Sequence, residues 1–234
     1  MLQAVLFDWG GTLAQWEWDD ALLDAGHAAG LRALGRDADP RMTARFREAY
    51  LPLVEQSDYP TLVRELLREH GIDAGDDDLR RFLAAEHEAW QPAHALASTT
   101  HALLDTLRDR GLRLGLVSNA FDPPELLRAD LERLGVAERL DAAVFSSEVG
   151  HRKPEPEIFR RALAALGVEP EVALFVGDTL ATDIAGAAAV GMHTCQALWF
   201  TADESPEIEP EFRAFTQMDV VTAVNRVSGK RKTR

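Results

Sequence analysis

Five short stretches of this chain are apolar without alternation: LQAVLFDW (2–9), LRLGLVSN (112–119), DAAVFSS (141–147), VALFVGDT (172–179) and HTCQALWF (193–200). A strand with one face in water alternates apolar and polar residues, whereas a strand covered on both faces does not need to. Helical patterns lie between the later runs. PPELLRADLERLG places leucines at 126, 127, 131 and 134, and PEIFRRALAALG repeats the spacing with Ile158, Phe159, Ala162, Leu163 and Leu166. Each pattern closes on a glycine, a common helix stop. Strands alternating with helices specify right-handed crossovers, and therefore an α/β fold of three layers with a parallel sheet in the middle.

One interval breaks the alternation. Between Ala14 and Gln91 the sequence offers no convincing strand, only amphipathic helical segments such as ARFREAYLPLVEQ, TLVRELLREHG and DDLRRFLAAEHEAW. A crossover needs far fewer residues than this. The expectation is a discontinuous α/β core (1–13 and 92–225) with an α-helical cap domain inserted at 14–91. The basic end, 226–234, reads as a tail without fixed structure.

Charge narrows the partners. A formal net charge of −14 and a pI near 4.9 oppose binding to nucleic acid or an anionic membrane. No apolar run approaches the ~20 residues that cross a bilayer, and the first strand begins without a basic-then-apolar leader. A single cysteine rules out an internal disulfide and fits a reducing compartment. The expectation is a cytoplasmic protein; nothing in the sequence specifies an oligomeric state.

An open parallel sheet collects ligands at the carboxyl ends of its strands, where the strand order reverses. In such a Rossmann-like core the first strand ends at Asp8, the second at Ser118-Asn119, the third at Ser146-Ser147 and the fourth at Gly177-Asp178-Thr179. Asp183 follows shortly after, and the loop GHRKPEP carries Lys153. Asp8 and Asp178 would share one crevice, which is costly unless a cation compensates or one carboxyl takes a proton. Hard carboxylate oxygens suit Mg2+, which binds through one or two carboxylates and keeps several waters. HExxH, CxxC, GxSxG, P-loop and GxGxxG motifs do not occur.

Lys153 stands out by composition. Of the 25 basic residues only three are lysines, and Lys230 and Lys232 lie in the tail. A chain that otherwise uses arginine has kept a compact ammonium at this position. Beyond Asp8 the sequence reads WGGT: the glycines permit φ > 0 and close backbone approach. The amides of Trp9, Gly10, Gly11 and Thr12 could cradle an anion, with the Thr12 hydroxyl near Asp8.

FDWGGTL, LVSN, GHRKPEPEIF and FVGDTLATDIAGAAAVG, in this order, resemble the four signature motifs of the haloacid dehalogenase-like hydrolase superfamily. The likeness extends to the branch whose helical cap is inserted between the first two motifs. It implies that Asp8 is a nucleophile forming an acyl-phosphate and that Ser118 and Lys153 hold the transferring phosphoryl group. It further implies that Asp178 binds Mg2+, with Asp183 supporting the metal's waters or the lysine. The implied substrate is a small phosphorylated molecule contacting Trp9, Gly10, Gly11, Ser118, Asn119 and Lys153.

One departure matters. The usual first motif is Asp-x-Asp-Gly-Thr, and here Gly10 replaces the second acid. In the superfamily that residue's backbone carbonyl binds Mg2+, while its side chain protonates the leaving group and then activates water. Gly10 keeps the carbonyl and lacks the acid. General acid–base help is worth ~10²–10⁴-fold, about 3–5 kcal/mol of barrier, so the loss falls hardest on poor leaving groups. Three readings stay open. One is a Mg2+-dependent phosphatase that uses an easy leaving group or borrows an acid from the cap. Another is a sibling reaction on a C–P or C–halogen bond, and the third is a weakly active or non-catalytic phosphate binder. DWGGT is close to the Asp-Trp-Ala-Gly-Thr of phosphonoacetaldehyde hydrolases, but that chemistry needs a cap lysine and residues 14–91 contain none. Dehalogenases carry tyrosine in place of the second acid and lack the acid pair that GDTLATD supplies.

Elsewhere the expectations are plainer. Cys195 reads as a small buried hydrophobe. Trp16 and Trp18 form a hairpin over the site or pack on the cap. Tyr50, Glu55, Asp58 and Tyr59 are candidates to face substrate, although Asp58-Tyr59-Pro60 also reads as a turn. His87 and His94 are expected in solvent, and DAGDDD (73–78) reads as a surface loop and helix start.

Overall fold

Val5, Leu6 and Phe7 have no solvent exposure, so the strand they form must be covered on both faces. In the computed structural model, which describes residues 1–17, 19–53, 59–200, 203–205 and 207–229, that strand is the third of a six-stranded sheet. The elements in chain order are β1 (Ala4–Phe7), β2 (Ala14–Trp16), α1 (Asp20–Ala33), α2 (Pro40–Leu53), α3 (Tyr59–Glu69) and α4 (Asp76–Trp90). There follow β3 (His94–Leu96), α5 (Thr100–Arg108), β4 (Arg113–Ser118), α6 (Pro124–Arg133), β5 (Ala142–Phe145) and α7 (Ser146–Val149). The chain ends with α8 (Pro156–Leu166), β6 (Ala173–Gly177), α9 (Ala185–Ala189), β7 (His193–Ala197), β8 (Phe212–Ala214) and α10 (Asp219–Gly229).

The sheet order is β5-β4-β1-β6-β7-β8, all parallel. Each of the five apolar runs supplies one of these strands, and the fold is the α/β Rossmann-like core that they imply. Leu6, Val117 and Phe175 pack against Ile158, Phe159 and Leu163 of α8, with the Phe159 and Phe175 rings edge-on at 5.2 Å. Alternate residues of β1 point to the opposite face. Because β1 pairs with β4 on one side and β6 on the other, the order reverses beside it, and Phe7 lies level with Leu116 and Val176. The sixth strand, β8, has three residues, too few to show a period.

The chain divides into two compact units: Met1–Gln15, Leu96–Ala120 and Arg128–Arg234 form one, Trp16–Ala95 and Phe121–Leu127 the other. Residues 121–127 group with the helical unit, although they lie beyond the expected 14–91 insert. Among the expected tail residues, 226–229 belong to α10 rather than to an unstructured end; 230–234 lie outside the described residues. No helix among the described residues is long and apolar enough to cross a membrane.

The helical unit has its own core of Leu31, Phe46, Val63, Leu67, Phe82 and Trp90, with Phe121 and Leu126 packed against it. Within α1, a Cβ at Gly26 would overlap the Trp90 indole and one at Gly30 the Phe82 ring. These glycines weaken the helix signal and allow α1 to lie close to α4. Tyr50 and Tyr59 are buried in this core, and Tyr59-Pro60 opens α3 instead of a turn; Trp18, Glu55 and Asp58 lie outside the described residues. His87 is not solvated. It is 4% exposed, 3.3 Å from Asp122, on the face of α4 that buries Leu79, Phe82, Leu83, Glu86 and Trp90. His94 is half-buried, edge-on to Trp16 at 4.0 Å. DAGDDD does start a helix at Asp76.

Glu86 ties three helices of this unit together: its carboxylate meets His27 Nδ1 at 2.6 Å and accepts from Tyr59 Oη at 2.8 Å, all buried. Burial holds the Glu86 carboxyl above the ordinary glutamate range, against the lowering influence of His27 and Tyr59. Glu86→Ala strands the groups that face it and is expected to cost about 3–5 kcal/mol in urea unfolding. The raised pKa means that this group's stabilising contribution is present below the ordinary glutamate range and lost as pH rises through the folded value. The stability of Glu86→Gln relative to the native chain is therefore expected to improve with rising pH.

Candidate active site

The Asp8 amide donates to the Val176 carbonyl at 2.9 Å, so the residue after β1 is still held by the ladder and its carboxyl group stands at the sheet's edge. The chain then turns sharply. The Trp9 carbonyl accepts from the amides of Thr12 (3.3 Å), Leu13 (3.0 Å) and Ala14 (2.9 Å), and the Gly11 amide donates to Ala14 at 2.8 Å. Gly11 has φ +77°, and a Cβ there would overlap the Asp178 carboxylate. Glycine is needed for both reasons. Two of the four amides expected to cradle an anion, those of Gly11 and Thr12, donate within this turn. Gly10 bridges to Ala14. Thr12 is fully buried, and its Oγ1 has no hydrogen-bond partner among the described residues. Its carbonyl accepts from Trp199 Nε1 at 2.8 Å and Gln217 Nε2 at 3.3 Å, two residues that no sequence motif singled out.

Lys153 sits between two carboxylates: Nζ is 2.5 Å from Asp8 Oδ1 and 2.7 Å from Asp183 Oδ1. Its side chain is 2% exposed and lies 5.6 Å from the Phe175 ring centre. Asp8, half-exposed Asp178 and buried Asp183 each offer an oxygen, all within 4.8 Å of one another. Asp183 is held by the Thr179 amide, which donates to Oδ2 at 3.1 Å, and a Cβ at Gly177 would overlap its carboxyl group. The sequence-derived residues Asp8, Lys153, Asp178 and Asp183 thus meet at one point. Ser118 ends β4 beside them in the sheet order and is buried. Asn119 is turned elsewhere: its Nδ2 donates to the Lys153 carbonyl at 3.1 Å, and its Oδ1 accepts from the Lys153 amide at 2.8 Å. Ser146 binds the Ala120 backbone.

Burial pushes the Asp8 carboxyl up to about 7; Lys153 opposes this, while Asp183 and Asp178 add to it. Burial works against the Lys153 ammonium, yet Asp183 and then Asp8 outweigh it and hold its pKa above the ordinary lysine value. Cys195, by contrast, is fully buried with its thiol pushed up to about 12 by that burial, and takes no part.

A carboxylate and an ammonium buried together at the switch point of a parallel sheet, with two further acids within reach, define a hydrolase-type centre. The chain belongs to the haloacid dehalogenase-like hydrolase family, whose model matches residues 2–191. It is similar to the phosphoserine phosphatase of Thermus thermophilus, 34% identical over 83% of this chain and 69% of that protein. The ribulose-1,5-bisphosphate 5-phosphatase of Halopiger xanaduensis is 31% identical over 93% of this chain and 92% of its own length. Among solved structures, a HAD phosphatase from Thermococcus onnurineus superposes with a TM-score of 0.66 at 24% identity, covering 95% of this chain and 98% of that one, a likeness of fold.

Removing the buried cation is the direct test of this electrostatic arrangement. Lys153→Met leaves facing carboxylates uncompensated and is expected to destabilise the metal-free protein by about 3–5 kcal/mol at pH 8. The cost is smaller at pH 5, where Asp8 carries a proton, as read from urea unfolding at the two pH values.

Proposed function

We propose that the protein is a Mg2+-dependent phosphatase that acts on a small phosphorylated molecule through an aspartyl-phosphate at Asp8. The observation that carries this reading is the contact of Asp8 with Lys153, with the Asp178 and Asp183 oxygens within 4.8 Å. The named activities of the similar phosphatases support it.

The donor set fits Mg2+: three carboxylates are hard ligands, and Asp178 keeps partial exposure for waters. Asp8, Asp178 and the Gly10 carbonyl would hold the ion, with Asp183 behind them. Bound there, it would neutralise charge on the phosphoryl oxygens.

In the first step an Asp8 oxygen forms a bond to phosphorus while the bond from phosphorus to the leaving oxygen breaks, and the electron pair departs with that oxygen. Lys153 and the Ser118 hydroxyl hold the transferring group. In the second step water attacks the aspartyl-phosphate, the phosphorus–Asp8 bond breaks, and inorganic phosphate leaves with Asp8 restored. The sheet holds Asp8 in place before substrate arrives, so little ordering is needed at reaction. Most of the rate advantage comes from positive charge set against the phosphoryl oxygens. A weakly active phosphate-binding protein is the second reading, favoured by one feature, the missing acid at Gly10.

An aryl phosphate with Mg2+ separates the two readings. Turnover that disappears in Asp8→Asn and on chelation supports the phosphatase, and failure with both aryl and acyl phosphates overturns it. Gly10→Asp supplies the missing acid and is expected to raise turnover of alkyl phosphates by about 10²–10⁴-fold, while leaving aryl phosphates nearly unchanged.

A further inference from the structure

Most residues of the site are fixed by regular structure. Asp8 and Asp178 each follow a strand directly, Ser118 ends one, and Asp183 lies in the helical turn after β6. Lys153 differs. It lies in the irregular segment between α7 and α8, and it is a four-carbon chain with many rotamers to lose. A flexible residue on a connecting segment needs an anchor if its ammonium is to sit within hydrogen-bond distance of two carboxylates.

The anchor is on β4's side of the sheet. Asn119, the residue after Ser118, uses both ends of its amide on the backbone of Lys153, accepting from the N–H at 2.8 Å and donating to the C=O at 3.1 Å. The next residue, Ala120, is itself clasped: its N–H donates to Ser146 Oγ at 2.9 Å, and Ser146 Oγ donates to its carbonyl at 2.8 Å. Ser146 is 4% exposed and immediately follows β5. A continuous hydrogen-bonded path therefore runs from the end of β5 through Ser146, Ala120 and Asn119 to Lys153, and from its ammonium to Asp8 and Asp183.

We propose that Asn119 and Ser146 are positioning residues that brace Lys153, and that Asn119 serves the reaction through this lysine and not by touching substrate. The inference rests on the phosphatase reading for its kinetic consequence alone; the brace itself can be tested without activity. With both amide groups of Asn119 engaged by backbone, the side chain has one acceptor lone pair and one N–H left.

The chain's scarcity of lysine makes a direct test practical. The intact protein is acetylated with a water-soluble reagent, and Lys153 is followed by peptide mass spectrometry. The labelling rate of the same peptide in the urea-unfolded chain serves as the reference. Loss of these two part-buried hydrogen bonds is expected to speed Lys153 labelling about tenfold or more in Asn119→Ala. Asn119→Asp, which keeps the acceptor and loses the donor, should fall between. Ser146→Ala should act in the same direction. A Leu163→Ala variant with the same melting temperature as Asn119→Ala controls for general loosening and should label as the native chain does. Equal protection in the native chain and Asn119→Ala, or equal labelling in the Leu163→Ala control and Asn119→Ala, overturns the brace.

The second measurement is binding of inorganic phosphate by calorimetry with Mg2+, in a double-mutant cycle with Lys153→Met. The expected result is that Asn119→Ala weakens binding in the native background and has no further effect once Lys153 is gone. Losses that simply multiply mean that Asn119 contacts the phosphate itself, and the proposal fails. If the native protein binds no phosphate and turns over no aryl or acyl phosphate, the phosphatase reading falls, while labelling still decides whether the brace exists.

Discussion

An ammonium group shared between two buried carboxylates is the contact on which this site depends. Lys153 meets Asp8 and Asp183 at 2.5 and 2.7 Å, almost out of reach of solvent. Burying charge is expensive, and a buried ion pair is rarely a net source of stability. The arrangement is explained by what it does to Asp8. Burial and two neighbouring acids push that carboxyl up, and the lysine pulls it back toward the anion that the proposed reaction requires. A protein with net charge −14 has placed its one non-tail lysine at the spot where three acids converge.

The backbone makes that convergence sterically feasible. Reversal of strand order beside β1 sets the end of one strand between the ends of β4 and β6, so residues more than 100 positions apart in sequence face one another. At two places a side chain would block them. Gly11 clears the way for the Asp178 carboxylate, and Gly177 does the same for Asp183. The WGGT stretch therefore serves Asp178 at least as directly as it serves an anion: its tight turn uses the Gly11 and Thr12 amides internally.

The helical unit follows a different principle. Its apolar core is continuous, yet a buried glutamate links its helices through a histidine and a tyrosine. Apolar contacts tolerate small slips between helices, whereas two short hydrogen bonds to one carboxylate do not, so the polar contacts specify register within a core that apolar packing stabilises.

Sequence alone determined the architecture and the chemical groups. Five apolar runs without alternation marked strands buried on both faces, and residues at their ends marked the edge where Asp8, Lys153, Asp178 and Asp183 meet. Such signals are local: a run or a period records that a residue is buried, whatever buries it. The three-residue β8 was too short to carry a period, and the value of Gly26 and Gly30 lies in Trp90 and Phe82 across the helix pair, which no local pattern records. Tertiary structure alone decided that Tyr50, Tyr59 and His87 are interior residues of the helical unit. It also turned the Asn119 amide onto a lysine backbone 34 positions away, and set the Thr12 carbonyl against Trp199 and Gln217. A hydrogen bond depends on the position of both partners, and the second position does not exist until the chain has folded.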